Sequence, residues 1–386
     1  YAFANCTSLA SITIPDSVTS IELYAFANCT SLASITIPDS VTSIGGHAFA
    51  NCTSLTSITI PDGVTSIGIS AFSGCGSLEE ITIPFVGGRA GATEASSDTL
   101  FGFIFGEEIL VGNYTDHQQF YASSNSAYKR YGIPISLTKV TVTGGKLFYG
   151  AFYNCSNIKT LSLGNDVVVV GERAFYNCTS LETLFMGKNV SFEVDGLFSV
   201  SAAPSLKTVY YNGSIDDWLA LSFTYCDSHP CCKGADLYFM GEKATEVIIP
   251  ETVTAINKYA FYGCTSLKSV TIPDTVTVIG AASFKNCTNL STVRLSENVL
   301  TIQEETFYMC ESLASITIPN YVLNIKKNAF YKVSHLSFKD ASRTWYIAPI
   351  TGYYTETAIG TMTDANIAKY LIAGDATHWF YRKYQQ

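Results

Sequence analysis

Cysteine and histidine are the residues of this sequence that could carry metal or nucleophilic chemistry, and most of the cysteines recur at a fixed spacing. Within each block of repeats, nine of the twelve follow one another every 23 residues: Cys6, Cys29, Cys52, Cys75, Cys155, Cys178, Cys264, Cys287 and Cys310. Such thiols can be metal ligands, disulfide partners or small buried apolar groups. Val333 stands one repeat after Cys310, where a metal would lose its ligand. We therefore predict reduced, structural thiols.

The other three cysteines, Cys226, Cys231 and Cys232, lie off this period in "CDSHPCC", with His229 between them. Zinc sites use four ligands at spacings such as paired C-x-x-C, which this run does not match. A metal site and a local disulfide both stay open, but the pattern favours free thiols. We predict no metal site and no cofactor.

No recognisable catalytic motif surrounds the remaining candidates. The five histidines are scattered through turns, insertions and the tail, at His47, His117, His229, His335 and His378. None lies in a G-x-S-x-G, H-E-x-x-H or phosphate-loop context. The Gly-rich run "FVGGRAG" lacks the Lys and the Ser or Thr of a phosphate loop. The sequence therefore predicts that the protein is not an enzyme and has no catalytic residues.

Composition excludes two classes of partner. The net charge of -9 argues against a phosphate-binding surface, because nucleic-acid affinity comes mostly from Lys and Arg. A span of the bilayer needs about 18 consecutive apolar residues, and the longest apolar patch is far shorter. With 47% hydrophobic and 14% charged residues, the chain has ample material for a core. We expect no nucleic-acid partner and no insertion into a membrane.

The cysteine period defines one structural unit of 23 residues, in the range of leucine-rich repeats. Apolar residues follow the spacing Leu9-x-x-Ile12-x-Ile14. The alternating "SITI" predicts a short strand with its isoleucines inward, which Pro15 ends because proline has no N-H for the ladder. "PDSVTSI" predicts a turn and a second extended piece, and "YAFANC" one turn of α or 3₁₀ geometry that carries Phe26 inward.

The position before each repeat cysteine predicts a left-handed backbone, since Asn and Gly both tolerate positive φ. It is occupied by Asn5, Asn28, Asn51, Gly74, Asn154, Asn177, Gly263, Asn286 and, as an exception, Met309. The six asparagines also read as N-C-T or N-C-S glycosylation sequons. Because the fold itself favours Asn, Cys and a small polar residue here, we expect no glycosylation.

The repeats predict a solenoid over residues 1–344 with two ordered insertions, at about 85–136 and 212–243, and a C-terminal cap over residues 345–386. Stacked coils bury one another's apolar residues, and the ends of the stack need a cover. The pattern in the tail predicts a helix that is N-capped near Thr363 or Asp364.

The unit "LASITIPDSVTSIGGHAFANCTS" resembles the BspA-like leucine-rich repeats of secreted and cell-surface proteins from anaerobic bacteria and some parasitic protists. The resemblance includes the blocks at Ile83 to Gly106 and Asp216 to Glu242. It implies a leucine-rich-repeat solenoid, a right-handed coil of about 12 turns of 23 residues. A parallel β-sheet would line its concave face and short 3₁₀, helical or extended segments its convex face. It also implies display outside the cell and no shared catalytic residues.

Outward positions on the predicted first strands form a ladder of hydroxyl groups, which β-propensity explains without a ligand. The middle of this face differs, because Phe185, Tyr210 and Ile248 fall on successive coils, near Glu246 and Arg294. Exposed aromatic residues with a nearby Arg are typical of binding hot spots. We predict a ligand-binding surface at these five residues. The alternative is that the insertion around Trp218 folds back and buries them.

Together these features predict a secreted or cell-surface leucine-rich-repeat protein that mediates adhesion by binding an extracellular protein or glycan. The alternative is a structural spacer module of a larger surface protein, since solenoids are also rigid spacers. A third hypothesis, an enzyme or metal protein built on the insertions, would require bound metal that depends on Cys226, Cys231 and Cys232. The chain begins inside a repeat, so a signal peptide or further repeats could precede it.

Overall fold

Each repeat folds into one coil that contains two short strand positions and a turn, and all three direct apolar residues inward. In the third coil, Ile58, Ile60 and Val64 are buried, whereas Ser57 and Thr59 are exposed. This alternation is the one predicted from "SITI". The coil has no core until neighbouring coils cover its apolar rows, so the hydrophobic gain of folding arises between repeats.

The computed structural model describes residues 1–107, 114–124, 126–192, 203–340, 342, 344–349, 357–361, 363, 365, 367–372 and 378–381. Over these residues the chain is a β-solenoid of about 13 turns, in which most strands pair in parallel and helix is scarce. The predicted leucine-rich-repeat solenoid is therefore confirmed. The chain divides into two units, Tyr1–Asn212 and Gly213–Gln386.

The first unit contains the strands β1 (Ser20–Ile21), β2 (Ser43–Ile44), β3 (Ser57–Thr59), β4 (Ser66–Ile67), β5 (Glu80–Ile83), β6 (Tyr114–Phe120), β7 (Tyr128–Pro134), β8 (Lys139–Leu147), β9 (Thr160–Val170), β10 (Thr183–Met186), β11 (Ser191–Phe192) and β12 (Thr208–Tyr211). The first strand positions form a parallel ladder in the order β3-β5-β8-β9-β10-β12, and the second positions a parallel ladder β1-β2-β4. Strands β8 and β9 are long enough to run through both positions, and β11 pairs with the end of β9.

The second unit contains β13 (Asp236–Phe239), β14 (Glu242–Lys243), β15 (Glu246–Ile248), β16 (Ala255–Ile256), β17 (Ser269–Thr271), β18 (Val278–Ile279), β19 (Thr292–Arg294), β20 (Thr301–Ile302), β21 (Ile316–Ile318), β22 (Asn324–Ile325), β23 (Leu336–Phe338), β24 (Trp345–Pro349), β25 (Thr357–Gly360) and β26 (His378–Tyr381). Its first positions pair in parallel as β15-β17-β19 and β21-β23, and its second positions as β16-β18-β20-β22. Parallel pairing of equivalent residues keeps every inward side chain above its counterpart.

The turn segments also form a ladder from coil to coil, because each contains left-handed residues. The N-H groups of Phe26 and Asn28 donate to Ala48 and Ala50 of the next coil, both at 2.7 Å. The predicted left-handed position is confirmed, with φ of 61° at Asn28 and 59° even at Met309.

A second left-handed position, four residues earlier, has no residue preference that the sequence could reveal. It is occupied by Tyr24, His47, Ser70, Gly150, Arg173, Tyr259, Ala282, Glu305 and Asn328. Each turn therefore contains two left-handed residues, four positions apart. A helix has negative φ throughout, so the segment is not the turn of α or 3₁₀ helix that we expected.

Rows of buried phenylalanine and ladders of asparagine amides run along the turns. The rings of Phe26 and Phe49 stack at 5.4 Å between centroids, and Phe49 and Phe72 at 5.5 Å. Outside this row, the Asn51 side chain donates from Nδ2 to Oδ1 of Asn28 at 2.9 Å. The amide row ends at Gly74, where an added Cβ would lie 2.0 Å from the Asn51 Oδ1. Gly74 keeps the left-handed backbone of this position, with φ of 77°, but has no side chain to continue the row.

The first insertion provides the backbone hydrogen bonds that a further coil would make with the turns on either side. Its two 3₁₀ segments are Ser97–Thr99 and Phe101–Ile104. The Phe72 N-H donates to the Ile104 carbonyl at 2.9 Å, and the Phe101 N-H donates to the Ala151 carbonyl at 2.8 Å. Beyond it, β6 and β7 form an antiparallel hairpin. The insertion thus fills the place of a coil.

His117, on strand β6 of this hairpin, is buried. Its Nδ1 lies within hydrogen-bond distance of the Asn154 carbonyl, and its Nε2 has no partner among the described residues. Burial lowers the pKa of His117 against the raising effects of that carbonyl and of Asp116.

The second insertion begins with the short helix α1 (Ile215–Ala220) and continues with a 3₁₀ turn at Cys226–Ser228. The Ser214 side chain accepts from the Asp217 N-H and the Asp217 carboxylate accepts from the Ser214 N-H, which together make a capping box. Trp218 is fully buried, and its indole N-H donates to the Ala260 carbonyl at 2.8 Å. This contact joins the insertion to a turn of the repeat stack.

The tail contributes strands and one π-helical turn, Ile367–Ile372. The N-H of Ile367 donates to the Thr363 carbonyl at 2.9 Å, while Asp364 lies outside the described residues. Strand β26 pairs antiparallel with β22, and β24 pairs antiparallel with β26 and β25. The assignment of residues 345–386 as a cap, and the domain limits as a whole, stay predictions.

Replacement of Asn51 should separate the two roles of this position. Asn51→Gly removes the amide bonds but keeps the left-handed backbone, and should cost about 1 kcal/mol of unfolding free energy. Asn51→Ala adds a left-handed strain of about 1–2 kcal/mol. Urea denaturation should rank the wild type above the Gly variant and the Gly variant above the Ala variant. Equal losses in both variants would contradict a role for the backbone conformation.

Protonation of His117 should weaken the fold below neutral pH. Because burial holds its folded pKa below the unfolded value, the destabilisation is absent well above about pH 6.5 and grows as pH falls through that value until the folded form also protonates. We expect the urea midpoint of the wild type to fall more steeply between about pH 7.5 and 5 than that of His117→Gln. Parallel pH profiles would refute this assignment.

Candidate functional site

The outward side of the first-strand ladder is the candidate binding face, and strand register determines what each part presents. Ser57 pairs with Glu80, and Thr59 with Thr82, so side chains of equal position form straight rows. Rows of small hydroxyl groups cover the first coils. Such a surface offers hydrogen bonds but little apolar area, so strong binding requires other residues.

An aromatic pair interrupts the hydroxyl rows in the first unit. Phe185 on β10 pairs with Tyr210 on β12, and their rings stack at 4.6 Å between centroids with an angle of 9°. Phe185 is 39% exposed, and Tyr210 is half-buried. Ser162 lies beside Phe185 on the other side. Two of the five predicted binding residues therefore form one flat aromatic surface.

The other three predicted residues lie in the second unit. Ile248 is 74% exposed at the end of β15, and Glu246 is exposed on the same strand. Ile248 shares a row with Thr271 and Arg294. Arg294 is occupied within this unit, because it donates to the Ile272 carbonyl at 2.8 Å and forms an ion pair with Asp274 at 3.2 Å. Within the second unit, the Trp218 insertion leaves Ile248 exposed.

The repeat cysteines have a structural environment, as predicted, and all twelve cysteines of the chain are free. Each thiol in an unbroken stack donates to the phenylalanine carbonyl of the preceding coil, as Cys52 does to Phe26 at 3.3 Å. The same bond is made by Cys29, Cys75, Cys178, Cys287 and Cys310. Burial raises the pKa of Cys52 from 9.0 to about 12, so its thiol stays protonated and unreactive.

Two repeat cysteines follow an insertion and therefore lack this carbonyl partner. The Gln119 amide donates to the sulfur of Cys155 at 3.2 Å. At the second insertion, Cys264 meets Cys231, and Cys231 also contacts His229. Burial raises the pKa of the Cys231 thiol, but hydrogen bonds with Cys264 and His229 outweigh burial and lower it.

The structure separates the cysteines of "CDSHPCC" into two groups. Cys231 and His229 are fully buried, whereas Cys226 and Cys232 are half-buried. The cluster partner of Cys231 is Cys264, a repeat cysteine 33 residues further along the chain. Sequence spacing could not identify Cys264 as this partner, because it has the same 23-residue spacing as the other repeat cysteines. The only sequence signal was its place in the first coil after the insertion.

Two regular strand ladders, two left-handed residues in each turn and a row of buried cysteines define the repeat. A family described as the BspA type leucine rich repeat region matches six copies, over residues 1–87, 134–229 and 235–347. The chain belongs to this family. The predicted resemblance is thus confirmed over most of the sequence.

Solved structures of other leucine-rich-repeat proteins are similar to this BspA-type chain. One is a leucine rich cell surface protein from Faecalibacterium prausnitzii, with 24% identity, a TM-score of 0.35 and coverage of 86% of this chain and 88% of that one. Another is a leucine-rich repeat protein from Bacteroides ovatus, with 26% identity, a TM-score of 0.30 and coverage of 86% and 72%. No curated protein matches the chain. Among the described residues, no helix combines the length and hydrophobicity that a membrane crossing requires.

Alkylation should distinguish the ladder thiols from an exposed cysteine. Cys6 is exposed, whereas Cys52 is buried and burial raises its pKa to about 12, so very little of it is thiolate at neutral pH. We expect iodoacetamide to modify Cys6 in the native protein and Cys52 only after denaturation, as read by peptide mass spectrometry. Similar alkylation rates at Cys6 and Cys52 in the native protein would contradict a buried, protonated thiol at Cys52.

Proposed function

We propose that this BspA-type protein acts at the cell surface or in secreted form and mediates adhesion by binding a protein or glycan outside the cell. Membership of the family supports this location and the absence of catalysis. The observation that carries the proposal is the stacked, partly exposed Phe185 and Tyr210 pair in a face otherwise made of hydroxyl groups. Leaving such apolar area in water is costly unless a ligand covers it.

The geometry of this pair suits a flat contact. Parallel strands hold the rings side by side, so a ligand would not have to order them. Ion pairs lie near the strand starts, between Lys139 and Glu80 at 2.7 Å and between Lys207 and Glu182 at 3.2 Å. These charges are exposed and partnered, so they would contribute orientation more than affinity. Ile248, Glu246 and Arg294 are proposed as further contacts, presented by the second unit.

Binding assays should identify the ligand class. The full chain is immobilised and exposed to extracellular matrix proteins, mucin and a glycan array in separate arms. For any ligand retained, Phe185→Ser should weaken binding by about thirtyfold, which corresponds to a hot-spot loss of about 2 kcal/mol. The free energy of unfolding should fall by about 1 kcal/mol from the lost ring stacking, and the protein should stay folded.

Tyr128→Ser is the matched control, because Tyr128 is also an aromatic residue of the first unit with 39% exposure. It should leave binding unchanged. The proposal fails if the wild type retains no member of any panel, or if Phe185→Ser binds as tightly as the wild type. No retention, together with an anchor or catalytic domain in flanking sequence, would favour the spacer alternative.

A further inference from the structure

Cys264 differs from the ladder cysteines in what its thiol faces. In the same unit, Cys287 and Cys310 donate to phenylalanine carbonyls at 3.0 and 3.1 Å. The second insertion stands where the preceding coil would supply that carbonyl, and it presents a second sulfur and an imidazole. Cys264 therefore has soft metal-ligating neighbours in place of a backbone acceptor.

Three ligand atoms converge at this point. One nitrogen of His229 and the sulfurs of Cys231 and Cys264 all lie within 4.8 Å of one another. The exposures of the three residues are 0%, 0% and 1%. Metal-sulfur bonds of about 2.3 Å and metal-nitrogen bonds of about 2.0 Å place ligand atoms roughly 3.5–4 Å apart, so the longest separation needs to contract by at most about 1.3 Å.

The surroundings orient the imidazole as in known metal sites. Nε2 of His229 lies 3.2 Å from the Ala260 carbonyl, which also accepts from the Trp218 indole. A ligating histidine usually donates its other N-H to a carbonyl, which directs the free lone pair to the metal. Nδ1 currently accepts from the Cys231 N-H at 3.1 Å and would exchange this bond for the metal. Phe223, at 4.5 Å from the ring, helps to enclose the site.

We propose that His229, Cys231 and Cys264 bind one thiophilic metal ion and thereby fasten the second insertion to the coil that follows it. Two sulfurs and one imidazole select soft ions such as Cu⁺ or Zn²⁺ over Mg²⁺ or Ca²⁺, which prefer oxygen. Binding releases the thiol protons as the two sulfurs become thiolates. Three enclosed ligands favour Cu⁺, whereas Zn²⁺ would require a fourth.

The first insertion offers an internal comparison. There the ladder sulfur of Cys155 receives a hydrogen bond from the Gln119 amide, and only one sulfur is involved. An amide completes that contact, and among the described residues of the first insertion no group of three metal-ligating side chains surrounds this sulfur.

Metal content of the full chain tests the proposal. Reduced protein is loaded anaerobically with Cu⁺ or Zn²⁺ in separate arms, passed over a desalting column and analysed for elements. We expect one ion per chain, retained against a weak chelator, and a higher melting temperature than the metal-free form. Cys231→Ser and Cys264→Ser should each lose the ion and the thermal shift. The arm with the tighter binding identifies the ion.

Cys287→Ser and Cys226→Ser are the controls and should keep the ion. Cys287 is as buried as Cys264 and one coil away, so it reports the cost of any ladder replacement. If Cys264→Ser unfolds, Cys231→Ser, a change in the insertion and outside the repeats, carries the test. The proposal is wrong if the wild type retains no ion, if either site variant retains it, or if a disulfide joins Cys231 to Cys264 in metal-loaded protein.

Discussion

The structure depends on one constraint: no coil can pair all of its own backbone groups or bury its own apolar residues. Most coils have two strand positions of two to four residues and one turn, far too little for an independent core. Some turn N-H groups bond within the coil, as Ala27 does to the Tyr24 carbonyl, but the N-H groups of the strands and the intervening ones of the turn donate to carbonyls of the neighbouring coil. The left-handed residues make these bonds of the turn possible, because they keep the turn open enough to pair along the stack.

The same constraint decides what an insertion must do. A segment placed between coils has to offer carbonyls and N-H groups within hydrogen-bond distance of the coils on both sides. Otherwise the hydrogen-bond ladder would end in unpaired buried groups. In the first insertion a 3₁₀ segment meets this demand between Phe72 and Ala151. In the second, Trp218 and His229 both reach the Ala260 carbonyl. Side chains there take the place of the backbone donors of a missing coil. The cluster of two thiols and an imidazole forms where these side chains contact a repeat cysteine.

Repetition made the fold predictable from the sequence, since every coil repeats the same evidence. The inward isoleucines, the buried cysteines and the left-handed Asn all followed from residue types with a strong physical preference. The second left-handed position was missed because Ala282 or Glu305 carry no such preference and are held there by the ladder alone. Arg294 was expected to be available, but its ion pair with Asp274 depends on a register that only three dimensions reveal.

The near-identity of the first coils bears on how such a chain can change in length. Phe26 stacks on Phe3 at 5.3 Å and on Phe49 at 5.4 Å, and the Asn28 amide donates on one side as it accepts on the other. The upper and lower surfaces of a coil are thus complementary to each other. Loss or duplication of one repeat would rejoin matching surfaces and alter the stack by about 4.8 Å. Coil number can therefore change the length of the stack without a mismatch, whereas each insertion is tied to the particular coil whose cysteine it contacts.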